Sequence, residues 1–335
     1  MLSNRLPKSC VVLLVFLVLC EFSVAGEHGS VGEIVFDSNE LETVVDRDTH
    51  IEVLSKGFTW TEGPVWVGGD SPDAYLLFSD IPRNTIFRWH PDSGVTTYMN
   101  PSGYTGVEYY GLEPGSNGLT LDSSGRLTMC EHGDRRISFL SKLGGKRTLV
   151  DQFDGKRLNS PNDLTFDDDG NLYFTDPPYG LPNRFDDPRR ELDFCGVYRL
   201  RPSGELQLLT KQLDRPNGIG LSPDGQTLYV AQSDPSNPIW MAFDLSEEGV
   251  GPGKVLMNAS EFMNQHPGLP DGLDVHSNGW IFASGPGGIY VINPSNSSLV
   301  GRFVIGGRVS NCTLTPDQKF LYITADDKLC RVRLK

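Results

Sequence analysis

Long apolar runs are nearly absent from this chain of 335 residues, and positive charge is scarce. One long run, CVVLLVFLVLC, lies at Cys10–Cys20, and nothing after it is long and apolar enough to span a bilayer. Lysine and arginine total 29 against 43 acidic residues, so the formal net charge is −14 at pH 7. Neither nucleic acid nor an anionic membrane attracts a polyanion, so we expect neither as a partner.

The apolar run near the N terminus has the features of a signal peptide. Arg5 and Lys8 precede it, and the small-residue segment Ser23–Ala25 follows it just before Gly26. We therefore expect residues 1–25 to be removed and the protein to be exported, to the periplasm or outside the cell, with no membrane insertion afterwards. An uncleaved anchor is the alternative, although the run is short for a bilayer span.

Helical patterns and catalytic thiols are also in short supply. Periodic stretches rich in alanine or leucine are few, whereas 37 glycines and 23 prolines favour many short strands. We expect the four cysteines outside the leader to be mostly buried free thiols: Cys130, Cys195, Cys312 and Cys330. A G-x-S-x-G nucleophile motif is absent, which argues against an α/β-hydrolase.

What the chain does have is a repeat. The segments NGLTLDSSGRLTMCEH from Asn117, NDLTFDDDGNLYFTD from Asn162 and NGIGLSPDGQTLYVAQ from Asn217 share one pattern, and looser copies begin at Glu62, Asp271 and Asn311. Each copy is a short strand, a turn rich in glycine or aspartate, and a second strand. A spacing of about 40–55 residues with four strands per unit is typical of propeller blades.

The repeats predict an all-β fold, a six-bladed β-propeller that forms a single catalytic domain over residues 51–335. The sixth repeat lacks a fourth strand, and IEVLSKG from Ile51 belongs to no blade. We expect Ile51–Gly57 to supply the missing outer strand, so that an N-terminal strand closes the ring and removes an exposed edge. Residues 26–50 are interpreted as a lead segment.

The first residue of each repeat predicts a metal site. Innermost strands surround the axis of a propeller, so six equivalent residues should form a ring of oxygen atoms at one mouth: Glu62, Asn117, Asn162, Asn217, Asp271 and Asn311. Oxygen ligands without thiolate or imidazole suit Ca²⁺ best, with Mg²⁺, Mn²⁺ or Zn²⁺ as alternatives. Asn-Gly and Asp-Gly also begin strands simply as turn residues, which is the competing interpretation.

The second strand of each repeat returns to the same mouth and also ends in polar residues. Long loops enter there as well, which indicates a lidded pocket. From this placement we expect four residues to contact the substrate: Asn117, Glu131, Asp176 and Tyr179. His132 follows Glu131 and is a candidate general base, although a histidine at a strand end is as often structural.

Together the motifs TEGPVW, CEHGDRRI, NSPNDLTF, RPNGIGLSPDG and PDGLDV resemble the gluconolactonase and senescence-marker-protein (regucalcin-like) family of six-bladed lactonases. The resemblance covers the chain from about Phe58 to Lys335. It implies hydrolysis of a small-molecule sugar lactone at one divalent metal, usually calcium. Carried over by motif, the metal ligands are Glu62, Asn162, Asn217 and Asp271, and Asp271 is also the family's candidate base.

One departure from the family is visible. Animal members carry arginine two residues before the position of Asn162, whereas this chain has Ser160, so we do not expect a strict preference for gluconolactone. The expected chemistry is polarisation of the lactone carbonyl by calcium, with Asp271 or His132 activating water. Two alternatives stay open: a calcium-dependent aryl-esterase or phosphotriesterase on the same scaffold, and a binding module with structural calcium.

Overall fold

The computed structural model describes residues 29–335, and the predicted signal peptide lies outside this range. In it the chain forms six antiparallel sheets of four or five strands, with one short two-stranded ribbon. Helix within this range is limited to α1 (Ser260–Met263) and two 3-10 turns, Asn39–Thr43 and Arg184–Asp186. None of it is long and apolar enough to cross a membrane. The prediction of a six-bladed propeller is confirmed.

The strands follow one another blade by blade. Before the first blade lie β1 (Glu33–Val35) and β2 (Ile51–Lys56). Blade 1 contains β3 (Thr61–Val67), β4 (Tyr75–Asp80), β5 (Thr85–His90) and β6 (Gly94–Met99). Blade 2 contains β7 (Ser116–Leu121), β8 (Leu127–Glu131), β9 (Arg136–Leu140) and β10 (Lys146–Val150). The ribbon of β11 (Gln152–Phe153) and β12 (Lys156–Arg157) comes next.

The second half of the ring repeats this arrangement. Blade 3 contains β13 (Leu164–Phe166), β14 (Leu172–Asp176), β15 (Gly196–Leu200) and β16 (Leu206–Thr210). Blade 4 contains β17 (Pro216–Leu221), β18 (Thr227–Gln232), β19 (Ile239–Asp244) and β20 (Lys254–Asn258). Blade 5 contains β21 (Leu273–Val275), β22 (Ile281–Gly285), β23 (Gly288–Asn293) and β24 (Ser298–Val304). Blade 6 contains β25 (Val309–Leu314), β26 (Phe320–Ala325) and β27 (Lys328–Arg333).

Turn chemistry explains why each repeat begins as a hairpin. In blade 3 the carboxylate of Asp167 accepts a hydrogen bond from the backbone N–H of Asn171 at 2.8 Å. Gly170 lies between them with φ of 81°, a left-handed conformation that glycine adopts at little cost. The turn therefore sends β14 back along β13, with Leu164 opposite Phe174.

The hydrophobic core is divided among the blade interfaces. Six clusters of buried side chains each join two neighbouring blades, so the core is a ring of separate layers. In the layer between blades 2 and 3, the rings of Phe174 and Tyr198 are stacked with centroids 5.1 Å apart. The four cysteines of this range are all buried and free, as expected. Because the layers surround the axis on all sides, they hold the inner strands close together.

The ring is closed as predicted. Strand β2 pairs antiparallel with β27, with Ile51 opposite Val332 and Val53 opposite Cys330, so blade 6 has the order β2-β27-β26-β25. The outer edge of blade 6 is thereby covered by a strand from the other end of the domain, which removes one unpaired edge.

The segment before β2 does more than lead into the ring. Strand β1 pairs with β24, with Glu33 opposite Val304, and so adds a fifth strand to blade 5. Leu41 is fully buried in the layer between blades 5 and 6. A three-residue strand is too short to show a period of two in the sequence, so residues 26–50 could be interpreted only as a lead segment. The structure instead packs residues 33–45 against the ring.

Candidate active site

The six predicted ring residues meet where the regular strand ladder breaks. Blades 1, 2, 4 and 6 show a register shift at this level, for example between Glu62 and Val65 in blade 1. In blades 3 and 5 the innermost strand begins only after the ring residue, at Leu164 and Leu273. Such bulges re-aim side chains that a flat strand would send to its two faces. Here the irregularity re-aims ring side chains such as Glu62 and Asn311, whose Oε2 and Nδ2 atoms lie 3.4 Å apart.

Glycines after the ring residues let the inner strands approach one another. A Cβ atom on Gly63 would lie 2.1 Å from the backbone oxygen of Asn117, and one on Gly218 would lie 2.1 Å from that of Asp271. Blades 1, 2, 4 and 5 have glycine at this position, whereas blade 3 has Asp163. The close approach therefore makes a narrow ring, and blade 3 adds an acid directly below it.

Three buried carboxyl groups meet at this level: Glu62, Asp163 and Asp271. Burial is the main cause that raises the pKa of Glu62 to about 8 and that of Asp163 to about 7. Burial, followed by the charges of Glu62 and Asp163, also raises the pKa of Asp271. Within residues 29–335 no lysine, arginine or histidine nitrogen lies within 4.0 Å of these three groups. In their ionised form these three carboxylates therefore have no positively charged partner in this part of the chain.

Several oxygen atoms at the ring have no protein partner. Asp271 Oδ1 and Asn117 Oδ1 are buried and accept no hydrogen bond from the described residues. Asn217 donates from Nδ2 to Ser233 Oγ at 2.8 Å, which leaves its Oδ1 available as a ligand. Buried polar atoms are normally paired, so unpaired oxygens beside uncompensated carboxylates fit a hard cation such as Ca²⁺.

The predicted metal ligands include amide oxygens, so a search for clusters of acids, cysteines and histidines does not detect the site. Among residues 29–335 no group of three or more His, Cys, Asp or Glu side chains has metal-holding geometry. The carried-over set contains only two carboxylates, Glu62 and Asp271, and two amides, Asn162 and Asn217. Any cation held there would depend on amide oxygens as much as on carboxylates.

His132 lies buried beside the ring. Its Nε2 is 3.3 Å from Asn117 Nδ2, and its Nδ1, which makes no hydrogen bond, is 3.8 Å from Glu113 Oε2. Burial lowers the pKa of His132 to about 4, so the imidazole is neutral near pH 7 and only a weak base. Glu113 also lies 3.7 Å from Arg184 and so connects two of the long loops.

Tyr179 and Ser160 stand at the mouth above the ring. Tyr179 donates its hydroxyl to the backbone oxygen of Ser233 at 3.1 Å. Ser160, at the position of the family's arginine, is fully buried and donates to the backbone oxygen of Pro177 at 2.6 Å while accepting from Gly180 N–H at 2.9 Å. Ser160 therefore anchors the segment that carries Tyr179, and its hydroxyl is engaged by backbone groups.

Glu131 and Asp176 are placed differently from the ring acids. Glu131 is fully buried and paired with Arg136 at 2.9 Å and Lys146 at 3.1 Å. Asp176 accepts hydrogen bonds from the backbone N–H groups of Asn159 and Ser160 at 2.8 and 2.9 Å. Both shape the loops that enter the ring. Contact with substrate stays a prediction for these two residues, and their hydrogen bonds favour a structural role.

Two acids near the axis escaped the sequence analysis, Asp163 and Glu113. Asp163 breaks the glycine pattern of the repeats, so an alignment of the six repeats position by position would have found it. Glu113 lies in a long loop without any repeat, and no local signal marks it.

A cavity of about 550 Å³ lies below the ring, on the side away from the long loops. Asp163 and Asn311 line it near the ring, and its far end reaches the turns Asp167–Asp169 and Ser222–Gly225. The ring therefore separates two spaces, the loop-covered mouth and this lower cavity.

Comparison with known proteins gives consistent results. Residues 60–327 match the family model described as SMP-30/Gluconolactonase/LRE-like region. A gluconolactonase from Zymomonas mobilis is 39% identical over 316 residues, which cover 91% of this chain and 87% of that protein. A pentonolactonase from Haloferax volcanii is 26% identical, covering 78% of this chain and 80% of that protein. The structure of a gluconolactonase from Xanthomonas campestris superposes with a TM-score of 0.80 at 30% identity, covering 94% of this chain and all of the other.

Proposed function

Because the chain belongs to the SMP-30/gluconolactonase/LRE-like family and is a lactone hydrolase of the gluconolactonase type, we propose that it opens sugar lactones with a calcium ion held by four ligands. These ligands are Glu62, Asn162, Asn217 and Asp271. One observation carries the proposal: among residues 29–335 no basic side chain pairs with Glu62 or Asp271, and the buried Asp271 Oδ1 accepts no hydrogen bond.

Calcium bound at the ring would polarise the lactone carbonyl as a Lewis acid. The protein's own residues do the rest. The carboxylate of Asp271 accepts a proton from the water whose oxygen bonds to the carbonyl carbon. The ring C–O bond then breaks, and the ring oxygen leaves as a hydroxyl after it takes up the proton that Asp271 accepted. Tyr179, held by Ser233, forms one wall of the mouth and limits the access of bulk water.

His132 is the second candidate for the base. It is neutral at pH 7, but its two ring nitrogens face Asn117 and Glu113 rather than open space. That placement favours orientation of Asn117, whose unpaired Oδ1 can accept a hydrogen bond from a hydroxyl of the sugar. Asp271 is therefore the preferred base and His132 a positioning residue.

The proposed substrate range is based on the residues at the mouth and on the relatives. Ser160 replaces the arginine of animal members and is engaged by backbone groups, so the wall that recognises the sugar is built differently here. A gluconolactonase and a pentonolactonase are both among the relatives. We propose five- and six-carbon aldonolactones as substrates. The enzyme relatives disfavour a pure binding module.

The test is lactone hydrolysis followed by acid release. Glucono-1,5-lactone and a five-carbon aldonolactone are assayed with purified protein, after chelation, and after calcium is restored. An aryl ester and a phosphotriester serve as competing substrates, and Glu62→Gln as the matched variant. We expect activity on both lactones to vanish on chelation and to return with calcium. Full activity in metal-free protein, or faster turnover of the aryl ester, would contradict the proposal.

The segment expected to direct export lies outside the described residues. We propose an exported enzyme on the basis of the N-terminal sequence alone, and fractionation of cells with detection of the processed N terminus tests it.

A further inference from the structure

Asn311 belongs to the ring by position but presents the wrong atom to a cation. Its Oδ1 accepts a hydrogen bond from the backbone N–H of Cys312 at 2.8 Å. Its Nδ2 lies 3.4 Å from Glu62 Oε2 and 3.4 Å from Asp163 Oδ2. Rotating the amide by 180° would place its NH2 group against the N–H of Cys312. It would also turn its oxygen towards the carboxylates of Glu62 and Asp163. All three contacts therefore agree on one orientation, with N–H facing the axis.

The two carboxylate oxygens of Glu62 differ in their hydrogen bonds, because Asn311 contacts only one of them. Glu62 Oε2 accepts from the backbone N–H of Gly63 at 3.0 Å and also faces Asn311. Glu62 Oε1 accepts no hydrogen bond from the described residues. One oxygen is thus held by protein donors while the other is left for a ligand. Both oxygens of Asp163 are engaged, by the Leu164 N–H at 3.0 Å and by Asn311, so Asp163 anchors the amide from the far side.

Two glycines make room for the contact between Asn311 and Asp163, which crosses the axis from blade 6 to blade 3 and is called the crossing below. A Cβ atom on Gly272 would lie 1.9–2.3 Å from the side-chain atoms of Asn311, and one on Gly118 would lie 2.7 Å from Asp163 Oδ1. Gly272 does not have a positive φ, so its backbone would accept alanine. What alanine would disturb there is the space that Asn311 occupies.

The same crossing lies between the ring and the lower cavity. Asp163 and Asn311 both line the cavity of about 550 Å³, whereas Glu62 does not. Their contact, from blade 6 to blade 3, spans the channel just below the ring.

We propose that Asn311 is a positioning residue rather than a metal ligand: it spans the channel, holds Glu62 Oε2 and Asp163 in place, and forms the floor of the site. The proposal rests on the proposed calcium at Glu62. Residues that orient a ligand typically change metal affinity by about 10–100-fold when they are removed.

Calcium titration by calorimetry on metal-free protein is the first test. We expect Asn311→Ala and Gly272→Ala each to weaken calcium binding by about 10–100-fold. The Gly272→Ala/Asn311→Ala double variant should bind no more weakly than Asn311→Ala, because the space is then empty. Gly251→Ala is the matched control, since its Cβ would meet nothing closer than 3.7 Å, and it should bind as wild type. Wild-type affinity in Asn311→Ala, or additive losses in the double variant, would overturn the proposal.

A second double-mutant cycle tests whether Asn311 positions Glu62 or binds calcium itself. If Asn311 acts through Glu62, adding Asn311→Ala to Glu62→Gln should cost little further affinity, within about twofold. Adding it to Asn217→Ala should give the full, additive loss, because independent sites add. Full additivity in both backgrounds would mean that Asn311 binds calcium directly.

Failure of the calcium proposal itself would look different, because wild-type protein would then bind no calcium. In that case the melting temperatures of four metal-free proteins still test the contact geometry: wild type, Gly272→Ala, Asn311→Ala and the double variant. A penalty for Gly272→Ala that disappears in the Asn311→Ala background supports the crossing, and a penalty that persists overturns it. If Gly272→Ala does not fold, the Glu62/Asn311 cycle decides the question.

Discussion

Two pairs of buried acids lie within the same face of the propeller and behave differently. Glu62 and Asp271, at the ring, have no cationic partner, whereas Glu131 and Asp176, at the ends of second strands, are engaged by arginine, lysine and backbone N–H groups. Burial raises the pKa in both pairs, to about 8 for Glu62 and to about 7 for Asp176. A raised pKa therefore does not separate the proposed ligand acids from Glu131 and Asp176. The number of carboxylate oxygens left without a protein hydrogen-bond donor does.

The largest expected effect comes from the ring pair. Asp271→Asn keeps one oxygen ligand and removes the basic oxygen, so turnover of glucono-1,5-lactone at saturating calcium should fall by about 10²–10⁴-fold. Calcium affinity is measured on the same sample by calorimetry. The free energy of unfolding without calcium should stay within about 1 kcal/mol of wild type, because Asp271 Oδ1 has no partner to lose. Near-normal turnover at saturating calcium would leave Asp271 a ligand only and make His132 the better base.

The structural pair should show the opposite pattern. Asp176→Ala leaves the N–H groups of Asn159 and Ser160 without acceptors, which should lower the free energy of unfolding by about 2–4 kcal/mol. Urea denaturation measures the loss, and Asp176→Asn, which retains an acceptor, is the control. Calcium affinity should change by less than about threefold. A selective loss of calcium binding without a loss of stability would place Asp176 in the site after all.

The third prediction concerns pH. Glu62 has a pKa of about 8 in the folded, metal-free protein against an ordinary value of 4.5. Between these values the folded state binds a proton that the unfolded chain has lost, so metal-free stability falls as pH rises from 5 to 8. Calcium needs the ionised carboxylate, so its affinity should rise by up to about tenfold per pH unit in the lower part of this window and level off as the pH approaches 8.

Glu62→Gln provides the control for this prediction, since it should flatten both slopes and leave only the part due to other buried acids. Calcium titrations at pH 6, 7 and 8 measure the effect, and equal affinity at all three pH values would contradict it.

The smallest expected effect is at the mouth. Tyr179→Phe removes the hydroxyl that donates to Ser233, a bond worth about 0.5–1.5 kcal/mol. We expect kcat/KM to fall by less than about tenfold, mainly through KM, while calcium affinity is unchanged. Steady-state kinetics on five- and six-carbon lactones measure it, and an effect on only one of them would identify Tyr179 as a residue that selects ring size.

The sequence was sufficient for the fold because each repeat carries its own turn chemistry. Asp167 and Gly170 specify the blade 3 hairpin locally, and six such units with one spare strand leave few arrangements. Strand β1 was missed because three residues show no periodicity. At the site, Asn311 was placed correctly at the ring, but which atom of its amide faces the axis depends on Glu62 and Asp163, more than a hundred residues away. Glu113 depends on the course of a loop that has no counterpart in the other blades.

The pairing of β2 with β27 also determines the order in which the blades can fold during synthesis. Ile51 leaves the ribosome about 280 residues before its neighbour Val332. At about 5–20 residues per second the first strand waits roughly 15–55 seconds for its partner. Blades 1 to 5 can form in order during that time, whereas blade 6 is completed only when β27 has emerged. Until then an apolar strand stays unpaired, so the interval before β27 emerges is when the nascent chain is most exposed to aggregation.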